Sequence, residues 1–255
     1  MITFRESPGP AVTRSAIVWI YVLAIVATEL SIVVTGAFVG GLSTGLLLIG
    51  MLLHAAIRHS DPSERLLPVL ALVPLGTLLT LVVPSRQGSA WIWLIVLAVA
   101  LTLGSLRMGW VLGLRYKPRI QERRWVAVQA GIAAVGIPLG ILGAIVGPSL
   151  GPQLFRDDLG ALGFAAIGFG IGAGEEIMFR GVLQPLLSAI VPGRTAIGLT
   201  TIMFTSAYLG SLSAGYVIVA MILSLGYGWA ALRTRTATGA VIGHGAFLLT
   251  LVTLS

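Results

Sequence analysis

Apolar residues run in long blocks along this chain, separated by short polar joints. The blocks cover 15–38, 42–57, 66–84, 90–113, 125–146, 159–190, 195–210, 213–232 and 237–255. A helix crossing the hydrocarbon core of a bilayer needs about 20 mostly apolar residues. The second block is short, and 159–190 reads as one long or broken element, so the pattern predicts eight or nine spans. None of the blocks alternates in polarity at every second residue, as strands of a membrane barrel would. Helices also satisfy their own backbone hydrogen bonds in lipid. The expected fold is all-α, a polytopic membrane helical bundle forming a single integral membrane domain over 1–255.

Composition strengthens this reading. Of the 255 residues, 56% are hydrophobic and 10% are charged, where an ordinary soluble domain has about 25% charged. So few charges cannot cover a water-facing surface, which excludes a secreted disulfide scaffold, a cytosolic enzyme and a nucleic-acid-binding domain. The absence of cysteine removes disulfides, thiolate catalysis and thiolate metal sites together. No nucleic-acid partner is expected; the bilayer itself is.

The net charge of +7 is carried mainly by the joints. With the N-terminus inside and nine spans, Arg5, Arg14, Arg58, Arg65, Arg107, Arg115, Lys117, Arg119, Arg123, Arg124, Arg194, Arg233 and Arg235 fall on the inner side. Only Arg86 and Arg156 fall outside, and Arg180 lies within a membrane segment. This bias follows the positive-inside rule and predicts the plasma (inner) membrane with a cytoplasmic N-terminus. The basic cluster at 107–124 reads as a topology anchor before it reads as an anionic-lipid site. Arg5 and Arg14 precede the first block as in a signal peptide, but that block exceeds a typical h-region, so a retained anchor is expected. After Gly147 the composition shifts from Leu/Val/Ile-rich to glycine-rich. We therefore expect peripheral N-terminal helices over 1–147 and a functional core over 159–255.

Charges inside lipid are costly, about 2.5–3.5 kcal/mol at a helix centre on insertion scales. Their positions are therefore informative. The densest group is Gly174-Glu175-Glu176-Ile177-Met178-Phe179-Arg180-Gly181. On a helix Glu176 and Arg180 share one face in the favourable acid-before-base order, and an ion pair between them offsets part of each burial cost. Glu175 is turned about 100° away. It lacks a full partner in its own segment, which suits a general base. Glu175 is thus the chemical candidate, with Glu176 and Arg180 as structural support; the bland alternative is a polar staple between helices.

The pairs Gly168/Gly172 and Gly170/Gly174 read as close helix packing. His54 and His59 read as interfacial. His244, set between Gly243 and Gly245, is an intramembrane histidine and a functional candidate. Glu29 is a lone acid in the first block, either hydrogen-bonded in place or lining a proton path.

The run from Glu175 to Gln184 resembles the first signature of the CPBP family, membrane endopeptidases that include the CAAX prenyl proteases and bacteriocin-immunity proteins. The E-E-x-x-x-R core has Phe179 before the arginine and Gly181 after it. The family's second signature, Phe followed four residues later by His, finds Phe204 but Tyr208. Its third places a histidine in the last span, matched by His244, with Asn four residues on, where this chain has Leu248. The resemblance covers about 159–250 and implies a CPBP-type core in the C-terminal half, with a cavity opening within the membrane.

By that resemblance Glu175 would activate a water, His244 would donate to the oxyanion, and Tyr208 would offer a second hydroxyl donor, though a poorer proton relay than histidine. Zinc is possible but poorly supported, because it needs at least three protein ligands and Glu175, Glu176 and His244 make an awkward set. No metal or cofactor is expected.

Three functional readings follow. The first is an endopeptidase acting on a membrane protein or lipidated peptide. The second is a catalytically silent relative that holds or regulates an envelope protein partner. The third is an ion- or proton-coupled transporter, a reading weakened by the lack of visible repeat symmetry.

Overall fold

The computed structural model of the protein describes residues 11–57, 66–82, 90–114, 122–147 and 160–254. Arg5, Arg58, His59, Arg65, Arg86, Arg115, Lys117, Arg119 and Arg156, which entered the charge-bias and interface readings, lie outside the described residues. Among the described residues the regular structure is entirely helical, with no strand.

The long helices α1 (Ala11–Thr35) and α2 (Ala37–Ile57) form a hairpin with only Gly36 between them. Gly36 sits at φ +90°, a region open to glycine. The turn therefore falls earlier than the gap seen in the hydropathy pattern, and α2 gains the length to cross a bilayer. Gly40 then lets α2 lie directly on the backbone of Ile32.

Proline explains the interrupted helices. Block 66–84 becomes α3 (Leu66–Leu70) and α4 (Leu72–Val82), parting at Ala71 between Pro68 and Pro74. Block 125–146 becomes α6 (Glu122–Ala134) and α7 (Gly136–Val146), parting where Pro138 cannot donate to the Ala134 carbonyl. Between them, α5 covers Ala90–Val111. The C-terminal part contains α8 (Gly160–Glu176), a π-helical turn (Ile177–Leu183), α9 (Gln184–Ser188), α10 (Gly193–Ser206), α11 (Ala214–Thr234) and α12 (Thr238–Leu254).

Four helices are long and apolar enough to cross a membrane among the described residues: Ala16–Thr35, Ala37–Ile57, Arg124–Val146 and Ala214–Thr234. Three further apolar helices are shorter, at Leu66–Leu81, Ala98–Val111 and Thr238–Leu254. Large apolar side chains such as Phe38, Val34 and Trp110 are left fully outward on these helices, at 85%, 78% and 72% exposure. Such surfaces suit hydrocarbon and not water. The chain is an integral membrane protein.

Helix α12 runs between α7 and α8 and also touches α6. Glycine makes this possible on both sides. Gly136 and Gly140 lie against the backbone of Gly243 and Phe247, and Gly172 against Gly245 and His244. The two glycine pairs of α8 serve different neighbours: Gly168 and Gly172 face α12, while Gly170 and Gly174 face Ala98 and Leu101 of α5. Close packing, the reading the sequence suggested, accounts for all four. At the start of α12, Gln129 of α6 accepts the Gly239 N–H at 2.6 Å, meeting one of the donors a helix start leaves open.

Candidate active site

Glu175 and Glu176 end α8, and the chain then widens into the π turn before α9 resumes ordinary helix. The Gln184 N–H bonds the Phe179 carbonyl, a step of five residues. Pro185 accounts for the widening: it has no N–H for the Gly181 carbonyl, and its ring would crowd that carbonyl in a regular α-helix. The hydropathy pattern marked 159–190 as one long or broken element without placing this register change, and such turns often mark functional sites. Glu176 and Arg180 nonetheless keep the predicted pairing, Oε2 to Nε at 3.4 Å, with both side chains sealed from solvent.

Arg180 is held from α11 as well. Its Nη2 donates to Ser224 Oγ at 2.6 Å and to the Ser224 carbonyl at 3.2 Å. Ser224 Oγ in turn donates to Thr201 Oγ1 on α10 at 3.1 Å. The guanidinium also lies 5.4 Å from the Phe204 ring centre and 5.8 Å from that of Phe179, within cation–π range. One turn on, Gln184 donates to the Gly228 carbonyl at 2.8 Å.

His244 reaches the same cluster from α12. Its Nδ1 is 3.2 Å from Glu176 Oε1 and its Nε2 is 3.6 Å from Glu175 Oε2. The ring packs against Phe204 and Phe247, with centres 5.6 and 5.8 Å away, and against Gly172, where a Cβ would meet Cγ of the ring at 3.2 Å. Tyr208, just beyond α10, donates its hydroxyl to Glu175 Oε2 at 3.1 Å. One oxygen of Glu175 thus accepts the tyrosine hydroxyl and lies 3.6 Å from the imidazole Nε2. Glu175 keeps 23% of its side chain exposed, whereas His244, Glu176 and Arg180 keep none.

The five residues singled out from the sequence therefore meet in one place. Ser224, Thr201 and Gln184, which complete the setting, were not singled out. Ser224 is a small polar residue in the apolar α11, and no local pattern ties it to an arginine 44 positions earlier. At the third-signature position, Leu248 packs on α8, where a Cβ on Gly168 would meet its Cβ at 3.4 Å.

These donors do not suit zinc. Among the described residues no group of three or more His, Cys, Asp or Glu could hold a metal ion. Glu176 is engaged by Arg180, both ring nitrogens of His244 face carboxylates, and a phenol occupies the position of the second histidine. A catalytic zinc site needs three protein ligands and an open position.

The family model described as type II CAAX prenyl endopeptidase, Rce1-like, matches residues 158–250. This segment is similar to that family. The match begins one residue before the stretch whose motifs resemble the CPBP family and is consistent with that resemblance. The matched segment contains every residue of the cluster: α8 brings the two acids, the π turn the arginine, α10 the threonine, the turn after α10 the tyrosine, α11 the serine and α12 the histidine. No curated protein and no solved structure matches the chain.

The other polar residues noted in the sequence lie elsewhere. His54 accepts or donates at Nδ1 to the Tyr21 hydroxyl, 2.7 Å away, joining α2 to α1. Glu29 on α1 is buried and accepts a hydrogen bond from the Thr77 hydroxyl on α4.

Proposed function

We propose that this protein is a membrane endopeptidase that cleaves a peptide bond in a membrane protein or lipidated peptide, using a water activated by Glu175. The observation that carries this reading is the convergence on Glu175 Oε2 of a hydroxyl and an imidazole edge, on the one carboxylate of the cluster that retains exposure.

The chemistry follows from that arrangement. The Glu175 carboxylate takes a proton from water as the water oxygen attacks the peptide carbonyl carbon. The carbonyl π electrons move to oxygen, and the His244 Nε2–H and the Tyr208 hydroxyl, turning from Glu175, donate to that oxyanion. Collapse of the tetrahedral intermediate breaks the C–N bond, and Glu175 passes its proton to the leaving amine. One oxyanion donor of this kind contributes roughly 10²–10³ in rate. The pairing of Glu176 with Arg180 keeps the second acid from competing for the water. We further propose that the chain crosses the plasma (inner) membrane eight or nine times with a cytoplasmic N-terminus. Because the chain has no cysteine, single introduced cysteines probed with a membrane-impermeant thiol reagent test that topology directly.

The function is tested with the full chain in lipid nanodiscs and a prenylated peptide, the products read by mass spectrometry. Wild-type cleavage that disappears in Glu175→Gln and His244→Ala is the expected result. Cleavage at the wild-type rate in both variants overturns the reading. A second reading, a catalytically silent relative bound to an envelope partner, is favoured by Tyr208 and Leu248 at signature positions. It predicts no cleavage by the wild type, and one partner protein recovered equally with wild type and Glu175→Gln.

A further inference from the structure

Tyr208 stands at the start of a turn that joins α10 to α11, and a chain of hydrogen bonds ties this turn to α7, a helix outside the matched segment. The Ser211 N–H donates to the Tyr208 carbonyl at 3.1 Å, and the Ser213 N–H donates to Ser211 Oγ at 3.3 Å. Ser213 Oγ then donates at 2.8 Å to the carbonyl of Val146, the last residue of α7. The same oxygen accepts the Tyr216 N–H at 3.2 Å as the cap of α11. One hydroxyl thus starts α11 and fastens it to α7. Gly215 lets the two helices come this close, since a Cβ there would lie 2.8 Å from Val146 Cβ and 3.1 Å from its carbonyl oxygen.

The turn is held in a shape its residues do not favour. Leu212 takes φ +54°, in the left-handed region, while its side chain is 79% exposed. Packing of that leucine does not hold the conformation; the bonds around it do, from the Leu212 N–H to the Leu209 carbonyl at 3.1 Å and from the Ser213 N–H to Ser211. Such a backbone persists where its surroundings over-determine it. The Tyr208 ring packs against Phe204 and Tyr216, with centres 5.1 and 5.6 Å away, and Tyr216 stacks on Phe247.

We infer that Ser213 is a positioning residue: its bond to Val146 locks the turn that aims the Tyr208 hydroxyl at Glu175, so that α7 completes the site. The use of that hydroxyl on the oxyanion rests on the endopeptidase reading; its aim does not.

The test uses the full chain in lipid nanodiscs with ¹³C-labelled tyrosine and glutamate, the Tyr208 signals assigned by their loss in Tyr208→Phe. A through-space correlation between the Tyr208 Cζ and the Glu175 carboxyl carbon is expected in the wild type and in Ser213→Thr, which keeps the hydroxyl. It should fade in Ser213→Ala; Ser213→Gly, milder at a helix start, takes its place should the alanine variant not fold. A correlation missing from the wild type, or undiminished once the hydroxyl is gone, overturns the proposal. In cleavage assays Ser213→Ala should lower kcat about 10²-fold with KM little changed, as a small misplacement of a reacting group does. Tyr208→Phe/Ser213→Ala should be no slower than Tyr208→Phe, because the serine acts through the tyrosine. Losses that multiply overturn that role.

The spectra separate this inference from the endopeptidase reading. A correlation that depends on Ser213 in a protein that cleaves nothing removes only the latter. Glu175-dependent cleavage with a correlation indifferent to Ser213 removes only the former.

Discussion

Two regions of this molecule bury a carboxylate in an apolar helical bundle, and they do it differently. Between α1 and α4, Glu29 is 6% exposed and accepts from the Thr77 hydroxyl, with no cation beside it among the described residues. In the C-terminal half, Glu175 and Glu176 draw on Arg180, His244, Tyr208, Ser224 and Thr201, brought in from the π turn and from three further helices or their ends. One acid with one neutral hydroxyl makes a local hydrogen bond between two helices. Two acids with one arginine and one imidazole make a polar cluster that several helices must assemble together. Burial alone does not mark a site in a membrane protein; convergence of several elements on one atom does.

That contrast can be broken or sharpened by substitution. The largest effect is expected at Glu175, where Gln removes the proposed base and should lower peptide cleavage by about 10²–10⁴, with little change in the detergent melting temperature. Wild-type turnover by this variant would leave the two regions chemically equivalent. Arg180→Gln comes next. It strands Glu176 in a sealed pocket, and such a loss costs about 3–5 kcal/mol, read as a large drop in melting temperature. Removing both charges with Glu176→Gln/Arg180→Gln should recover part of that stability.

A smaller effect is expected at Gly243. A Cβ there would overlap the Tyr227 hydroxyl and come within 2.9 Å of the ring carbon that bears it. Gly243→Ala should cost about 1–3 kcal/mol by overpacking, with partial relief in Gly243→Ala/Tyr227→Phe, measured by thermal melts. The smallest is expected at the comparison region. Glu29→Gln keeps a hydrogen-bonding partner for Thr77, should shift stability by about 1 kcal/mol or less, and should leave cleavage unchanged. Loss of cleavage in Glu29→Gln would join the two regions functionally and revive a role for the N-terminal helices in the chemistry.

Much of the architecture was readable from hydropathy. The last three blocks correspond to α10, α11 and α12 within a few residues, and the long block 159–190 proved to be α8, the π turn and α9. Where the pattern misled, the cause was backbone chemistry. Gly36 moved the first turn, and Pro74 and Pro138 lie where single blocks divide. Hydropathy is blind to a left-handed glycine or a missing N–H, because neither changes how apolar a stretch is.

The site was legible to the extent that its chemistry lies within one turn of helix. Glu176 and Arg180 are four residues apart, and helical spacing places them on one face whatever surrounds them. The unusual pairing of two acids with one arginine in an apolar setting likewise needs no structure to be noticed. His244 and Tyr208 could be singled out by type and setting, but not joined to Glu175 by any spacing, since Tyr208 is 33 positions away.

The amino-acid order by itself determined that the chain is helical, lives in lipid, and carries two adjacent acids and an arginine where charge is costly. Helical periodicity is local, so it names the face of a residue and never the helix opposite. Only the tertiary structure decided that His244 stands between the two acids and that Ser224 braces Arg180. Those neighbours are chosen by glycine-lined contacts between α12, α7 and α8 and by the packing of α11 on α10. The physical reason is that close packing depends on the shapes of two surfaces together, and each helix carries only one of them.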